Sequence, residues 1–263
     1  PQLHEVVIHA ATIVHFGAGM RGYACDRGLA QIATVPAARP ATRASEKTIL
    51  APVRNASPVC PVCRSAETFH FQSVRGRDYY RCGSCVVTFL SPAQLPTPQE
   101  ELAQYETHEN DVEDAGYRKF LARLAGPLLS KLPAPATGLD FGCGPAPALA
   151  HMLREAGHRV RCYDPFYAPD AAALTGSYDF IAATEVVEHL HDPAATFELL
   201  DSLLRPGGVL GVMTEFLTDD SRFTGWHYRR DITHVVFYSE HTLRYIAGHL
   251  GWRVEIPRKN VAI

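Results

Sequence analysis

Seven cysteines sit at positions 25, 60, 63, 82, 85, 143 and 162, and four of them form two tight pairs. Cys60-Pro-Val-Cys63 and Cys82-Gly-Ser-Cys85 are separated by eighteen residues. Two thiolates three positions apart can address one cation when the turn between them is tight, and Pro61 and Gly83 favour such turns. Two pairs supply four sulfurs, the tetrahedral set that structural Zn2+ prefers. Cys60, Cys63, Cys82 and Cys85 are therefore the expected zinc ligands, with iron as the alternative metal. Four sulfurs close the coordination shell, so this centre is structural and leaves no position for catalysis. An odd cysteine count with two such pairs argues for a reduced protein, not a disulfide framework.

A second constellation is Gly138-Leu-Asp140-Phe-Gly142-Cys143-Gly144-Pro-Ala-Pro147, which follows an apolar strand and opens a helix. Glycines there let the backbone approach a ligand and expose amides at a helix N-terminus. A dinucleotide fingerprint needs a third glycine where Pro147 stands, so that reading fails. What remains is an acid two residues before Gly-x-Gly, followed 24 residues later by Asp164 at the end of the next strand. Further marks are Tyr178-Asp179-Phe180-Ile181, Glu185-Val186-Val187-Glu188-His189-Leu190 and Leu204-Arg-Pro-Gly-Gly208. In these segments, over about residues 100–263, the chain resembles the class I S-adenosylmethionine-dependent methyltransferases. The resemblance implies an enzyme with S-adenosylmethionine as cofactor. It places the backbone of Gly142, Cys143 and Gly144 beneath the cofactor and Asp140 near the amino-acid end. Asp164 would accept from both ribose hydroxyls, a task suited to two carboxylate oxygens; the alternative for it is a strand-end turn cap before Pro165. Glu185, Val186 and His189 fall where the family places cofactor and substrate contacts. Asp179 reads as a strand or turn cap.

The chain also departs from that pattern. Only fourteen residues separate Asp164 from Asp179, too few for the usual helix, third strand and adenine-contacting acid. The third strand is expected to be missing or vestigial, with Asp170 the weak candidate for the adenine contact. Ala146 stands where many relatives have glycine.

Two segments flank this core. Tyr105–Asp111 and Gly116–Phe120 precede it and resemble a lid. Trp226-His227-Tyr228-Arg229-Arg230-Asp231-Ile-Thr-His234 follows the last parallel strand and is dense in aromatic, imidazole and charged groups. Methyl transfer is an in-line displacement that needs alignment, and a base only if the acceptor must lose a proton. His227 and His234 are the candidate catalytic bases, with Asp231 to orient one of them. At least one of the two imidazoles should face the cofactor pocket. The alternative is a structural loop pinned by Trp226 and Tyr228.

The elements that must position these groups are legible. Phe69–Phe71 and Asp78–Arg81 alternate like the strands of a zinc ribbon. A unit this small cannot bury enough core to fold alone, so metal would supply folding energy. From Leu139 onward strands and helices alternate, the signature of an α/β sheet of mostly parallel strands. Leu149, Met152, Leu153 and Ala156 mark a helix face; Asp192-Pro193 and Ser239 start two more helices. Trp252–Ile256 and Asn260–Ile263 are expected as a closing hairpin. The expected fold is a Rossmann-like, doubly wound α/β sheet, reduced around strand three and preceded by a zinc ribbon. Its parts are an arm over 1–50 with a disordered composition, the ribbon over 51–92, a helical linker or lid over 93–137 and the methyltransferase domain over 138–263.

Composition bounds the rest. The chain has 263 residues, 46% of them hydrophobic and 20% charged, which suits a globular protein and not a wholly disordered one. Ten Lys/Arg against five Asp/Glu make residues 1–98 basic, whereas fifteen against twenty-three make residues 99–263 acidic. No run approaches a membrane span and no secretory signal is evident, so the expected location is cytoplasmic. Pro1 in place of Met suggests a fragment or a processed product. The expected acceptor is a small molecule. RNA is the second reading, with the basic ribbon half touching phosphates. Against it stand the acidic catalytic half and Thr184-Glu185-Val-Val where amino-methylating nucleic-acid enzymes carry Asn/Asp-Pro-Pro-aromatic. A third reading is a non-catalytic zinc-ribbon binding module with a degenerate cofactor fold. The sequence names no oligomeric state.

Overall fold

The computed structural model describes residues 57–107 and 110–263, together with the backbone of a two-stranded antiparallel hairpin, β1 (Val6–Ile8) and β2 (Ile13–His15). The expected N-terminal arm otherwise lies outside the described residues, as does His108 in the expected lid.

The cysteine unit is built from two knuckles of the same geometry. Arg64 N–H returns to Cys60 O at 3.0 Å and Val86 N–H returns to Cys82 O at 3.2 Å. Arg64 and Val86 both take left-handed backbone conformations, with φ of 60° and 63°. A β-branched residue rarely accepts that conformation, so the knuckle imposes it. Between the knuckles run β3 (Thr68–Val74) and β4 (Arg77–Cys82), joined through Arg75 and Gly76, both at positive φ as a two-residue hairpin turn requires. β5 (Thr88–Leu90) pairs with β4.

α1 (Pro98–Tyr105) starts in a capping box between Thr97 and Glu100. α2 (Ala115–Leu129) follows, and then the main sheet begins. Four of its strands, β6 (Thr137–Phe141), β7 (Arg159–Tyr163), β8 (Tyr178–Thr184) and β9 (Leu204–Met213), are parallel to one another. Residues of β8 alternate between the two faces, as the two-residue period demands. Phe180 and Ala182 enter a core with α2 and α3 (Ala148–Glu155), including Leu121, Leu124, Leu149 and Leu153. Ile181 and Ala183 enter the opposite core with Phe197 and Leu200 of α4 (Pro193–Leu203). Helices thus cover both faces, as expected for a doubly wound sheet.

With a fifth strand, β11 (Val261–Ala262), the sheet order is β11-β9-β8-β6-β7. Among the described residues β7 is the outer strand, because the short segment after it folds as a 3-10 helix, Ala171–Thr175, instead of a third strand. The expected closing hairpin is reduced to reciprocal bonds between Glu255 and Ile263, at 2.8 and 2.9 Å. β11 (Val261–Ala262) instead adds antiparallel to β9. Among the described residues no helix is long and apolar enough to cross a membrane.

The ribbon does not stand apart from the main sheet. After β9, the chain returns through β10 (Val236–Phe237), which pairs with β5 and completes a four-stranded sheet of order β10-β5-β4-β3. α5 (Glu240–His249), capped by Ser239, follows. Tyr79 of β4 is fully buried, and its ring meets Phe223 at 4.9 Å and Phe237 at 5.9 Å. Arg81 forms a bidentate pair with Asp220, at 2.5 and 2.7 Å. One apolar core therefore runs from the cysteines to β8. Tyr79→Ala should destabilise the protein by about 3–5 kcal/mol, the cost of removing a buried aromatic. Because the core is continuous, ribbon and sheet should unfold in one transition. Urea unfolding followed by fluorescence and far-UV circular dichroism checks both; separate transitions in the wild type would show that the two halves are not coupled.

Candidate active site

A cavity of about 600 Å³ opens where β6, β7 and β8 end. That edge is where open α/β sheets receive ligands. Its floor is the loop Gly142–Pro145. Gly142 has φ of 74°, and a Cβ there would lie 2.4 Å from Val186 Cγ2, so only glycine fits. Gly144, at φ of 63°, has nothing within 4 Å of a built Cβ and leaves room above it.

Asp164 ties this loop to its neighbour. Its Oδ2 accepts from Gly144 N–H at 3.0 Å, and its Oδ1 accepts from Phe166 and Tyr167 N–H at 2.9 and 3.1 Å. Asp164 lines the cavity, as do Gly142, Cys143, Gly144, Glu185 and Val186. Asp140 does not. It is 3% exposed, lies beneath the loop and accepts from Ala150 N–H at 3.1 Å in the first turn of α3. Burial raises its carboxyl to about 7. Asp140 thus joins β6 to α3 from beneath the loop. Asp179 also acts structurally, accepting from Thr137 N–H at 2.7 Å and from Arg205 at 2.6 Å. Asp170 caps the 3-10 helix at Ala171–Thr175 and pairs with Arg161, away from the cavity wall.

The inner wall is acidic. Tyr228 OH lies 2.5 Å from Glu188 Oε1, 3.1 Å from Glu185 Oε2 and 2.9 Å from Thr214 Oγ1. Glu185 has φ of 53°, a strained conformation that turns the chain sharply at the end of β8. Among the described residues, Thr184 Oγ1 and Glu185 Oε1 are buried without a hydrogen-bond partner, and both residues are on the cavity wall.

Two imidazoles stand beside these acids. His189 Nδ1 donates to Thr233 O at 3.2 Å and His234 Nδ1 donates to Tyr228 O at 2.7 Å. A carbonyl can only accept, so each ring carries a proton on Nδ1, which turns Nε2 away from that backbone. The ring centroids are 4.7 Å apart. Ligand atoms of Glu188, His189 and His234 lie within 4.8 Å of one another, close enough to address one cation. Asp231 accepts from Thr233 N–H and Oγ1 at 2.9 and 2.6 Å and from Gln104 at 3.3 Å. Burial opposes its charge, but the Thr233 bonds and the nearby imidazoles hold it below the ordinary carboxylate range. From α1, Tyr105 packs edge-on against His189 at 5.4 Å and closes the cavity on that side.

His234 and Asp231 therefore line the cavity, whereas His227 does not. His227 lines a smaller cavity of about 230 Å³ with Trp226, Arg222 and Lys259. The turn at Tyr228–Arg230 carries the chain inward only after His227, so of the two candidate bases His234 is the one on this wall. Glu188, Thr214 and Tyr228 were missed as site residues. Glu188 follows Glu185 by three positions, the one sequence signal that could have paired them.

Burial, and then the neighbouring Glu188, raises Glu185 to about 9; burial raises Glu188 to about 7. The native state therefore holds protons that the unfolded chain releases near the ordinary value of 4.5. Stability contributed by this difference is present at low pH and falls as pH rises from about 4.5 towards 9. Glu185→Gln should flatten that fall. Urea midpoints across this range are the check, and an unchanged slope would assign the linkage to another group.

Residues 109–255, more than half of the chain, match the methyltransferase domain family. The ubiquinone biosynthesis O-methyltransferase of Xanthomonas axonopodis pv. citri is 34% identical over 111 residues, which are 39% of this chain and 45% of that protein. The protein of the same name from Sodalis glossinidius is 37% identical over 76 residues, 28% of this chain and 30% of that one. The chain thus spans less than half the length of these curated relatives. Among solved structures, a SAM-dependent methyltransferase from Archaeoglobus fulgidus aligns with a TM-score of 0.43 at 21% identity, covering 52% of this chain and 71% of that one. The magnesium protoporphyrin IX methyltransferase of Synechocystis PCC 6803, solved with bound SAM, aligns with a TM-score of 0.40 at 17% identity, covering 62% and 88%. With the family matched across the glycine loop, Asp164 and the acidic turn after β8, the chain belongs to the class I S-adenosylmethionine-dependent methyltransferases.

Proposed function

We propose that the cavity takes S-adenosylmethionine against the glycine loop and transfers its methyl group to a hydroxyl-bearing small molecule, with His234 as the base. The observation that carries this reading is the pair of imidazoles whose Nδ1 protons are committed to backbone carbonyls on the wall of one cavity. The cofactor fits the residues present. Gly144 leaves open space, Asp164 offers carboxylate oxygens beside it, and Thr184 Oγ1 and Glu185 Oε1 are buried polar atoms without protein partners. When bound, S-adenosylmethionine supplies an electrophilic methyl on a sulfonium.

The chain's own residues do the remaining work. Asp164, Gly142 and Gly144 hold the cofactor. Tyr105, Tyr117 and Phe120 close the other side and exclude water. His234 Nε2 receives the acceptor's proton as the acceptor oxygen attacks, and Asp231 favours the imidazolium that results. Glu185 and Glu188, held by Tyr228, keep the inner wall polar. A cavity of about 600 Å³ suits a cofactor with a compact acceptor. The names of the curated relatives agree with a small acceptor. The ribbon spends Tyr79 and Phe89 on packing against the rest of the fold, which favours a bracing role over RNA contact.

The ribbon is inferred to hold zinc. Cys60 and Cys85 sulfurs are 3.6 Å apart, and those of Cys63 and Cys82 are 3.5 Å apart. A tetrahedron with Zn–S bonds of about 2.3 Å has edges of about 3.8 Å. Cys82 Sγ also accepts from the N–H groups of Ser84 and Cys85, at 3.3 and 3.5 Å.

Two variants separate binding from chemistry. Asp164→Ala should weaken cofactor binding by about 1–3 kcal/mol in calorimetry, the usual cost of removing a charged acceptor. His234→Gln should leave that affinity intact and lower turnover by about 10²–10⁴-fold. Turnover is read as transfer of labelled methyl to a panel of hydroxylated small molecules, with total RNA as a parallel acceptor. Labelling of RNA alone would overturn the small-molecule assignment, and full turnover in the variant would remove His234 as base.

Zinc content gives a separate test. Purified protein should carry about one zinc per chain, and a strong chelator should release it with loss of ribbon structure. An ordered, metal-free ribbon would end the inference.

A further inference from the structure

Cys143 and Cys162 have no part in the ribbon, and the methyl-transfer reading leaves their thiols unused. Cys143 sits between the two left-handed glycines and lines the cavity. Cys162 lies on β7, where its Cα partner across the sheet is Asp140. Cys143 N–H donates to the carbonyl of Tyr163, the residue after Cys162, at 3.1 Å. The Cys143 thiol donates to Gly144 O at 3.5 Å and is the strongest perturbing group on the Cys162 thiol. Both cysteines are half-buried and so reachable by small solutes, unlike the fully buried Cys60, Cys82 and Cys85. Arg154 directs Nη2 at Cys162 Sγ at 3.4 Å. Two further bonds from that guanidinium to Val160 O, at 3.2 and 2.7 Å, hold it in place.

We propose that Cys143 and Cys162 are an oxidative modification site: a peroxide converts them to a disulfide, and that disulfide lowers cofactor affinity. The consequence for affinity rests on the reading that the glycine loop holds S-adenosylmethionine; the modification itself does not.

The chemistry starts at Cys162. The Cys143 contact, and then the Arg154 charge, bring its thiol down to about 6, while Cys143 is raised. Cys162 is the attacking thiolate and Cys143 the resolving thiol. The Cys162 sulfur attacks one oxygen of hydrogen peroxide, the O–O bond breaks, and the leaving hydroxide takes a proton from solvent to become water. Cys162 is now a sulfenic acid. The Cys143 sulfur attacks the Cys162 sulfur, the S–O bond breaks, and the hydroxyl leaves as water with the Cys143 proton. Two thiols become one disulfide as one peroxide becomes two waters.

The effect on the cofactor follows from the loop. A disulfide fixes the two sulfurs about 2.05 Å apart. Cys143 is drawn from the cavity wall towards β7. Gly142 is held by its N–H bond to Tyr163 O at 2.7 Å, and Val186 fills the space beside it. The displacement falls on Gly144, whose N–H bond to Asp164 orders the floor of the cavity.

The test uses the full, zinc-loaded chain. Peroxide at a few equivalents, alkylation of remaining thiols and peptide mass spectrometry should show a Cys143–Cys162 cross-linked peptide. Calorimetry with S-adenosylmethionine should show affinity at least tenfold weaker after oxidation and restored by dithiothreitol. Cys162→Ser should form no such cross-link and keep its affinity under the same treatment; Cys162→Ala serves if the serine variant is misfolded by circular dichroism. If both thiols remain alkylatable after peroxide, the site is not there. A cross-link with unchanged affinity, or the same loss of affinity in Cys162→Ser, would overturn the effect on the cofactor. Reduced protein that binds no S-adenosylmethionine would instead remove the cavity reading and with it that effect, while the cross-link map would still decide the modification.

Discussion

Three loops leave adjacent parallel strands at one sheet edge, and the Asp164 carboxylate ties two of them together. It accepts from Gly144 in the loop after β6 and from Phe166 and Tyr167 in the loop after β7. The third loop is held by shape. Val186, after β8, occupies the space that any side chain at position 142 would need. These two constraints act on the same four-residue floor. Together they hold the cavity floor in place: the N–H groups of Gly142, Cys143 and Gly144 each have an acceptor, and the space above Gly144 is open.

The ribbon extends this logic to the far wall. Leu90 N–H donates to Val235 O at 2.8 Å, and Val235 N–H donates to Glu188 O at 2.9 Å. A short backbone path therefore runs from β5 of the ribbon, through the residue that follows His234, to the acidic turn after β8. Ala194 N–H, at the start of α4, donates to Pro61 O inside the first knuckle at 3.1 Å. The cysteine unit thus braces the loop that carries His234 and Asp231. A ribbon too small to bury its own core uses the methyltransferase sheet as the other half of that core, and the site loop is clamped between them.

The inner wall concentrates electrostatic cost. Glu185 and Glu188 share one tyrosine hydroxyl in a buried setting, and the hydroxyl has a single proton to give. The arrangement is satisfied only if at least one carboxyl keeps its own proton, in line with burial raising both and the Glu188 charge raising Glu185 further. Local stability is lost to keep polar groups at the place where a ligand must be oriented, a pattern common to sites rather than cores.

Much of this was legible in the sequence because it depends on short-range rules. Cysteine spacing specified the two knuckles, period-two and helical patterns specified β8, α3 and α4, and the short interval between Asp164 and Asp179 specified a sheet without its third strand. Gly142 and Gly144 were recognisable because turn geometry restricts the residue type locally. Other features depend on contacts between residues distant in sequence, and no local pattern encodes them. Asp140 and Asp164 look equivalent along the chain, yet one is sealed beneath α3 and the other faces the cavity, because strand register decides which side each carboxylate meets. His227 and His234 are seven residues apart in one aromatic loop, and a single turn at Tyr228–Arg230 sends only the second inward. The pairing of β10 with β5, and the convergence of Glu185, Glu188, Thr214 and Tyr228, join segments up to about 150 residues apart. The sequence by itself determined which elements form; which side chains meet was decided only by packing those elements into one core.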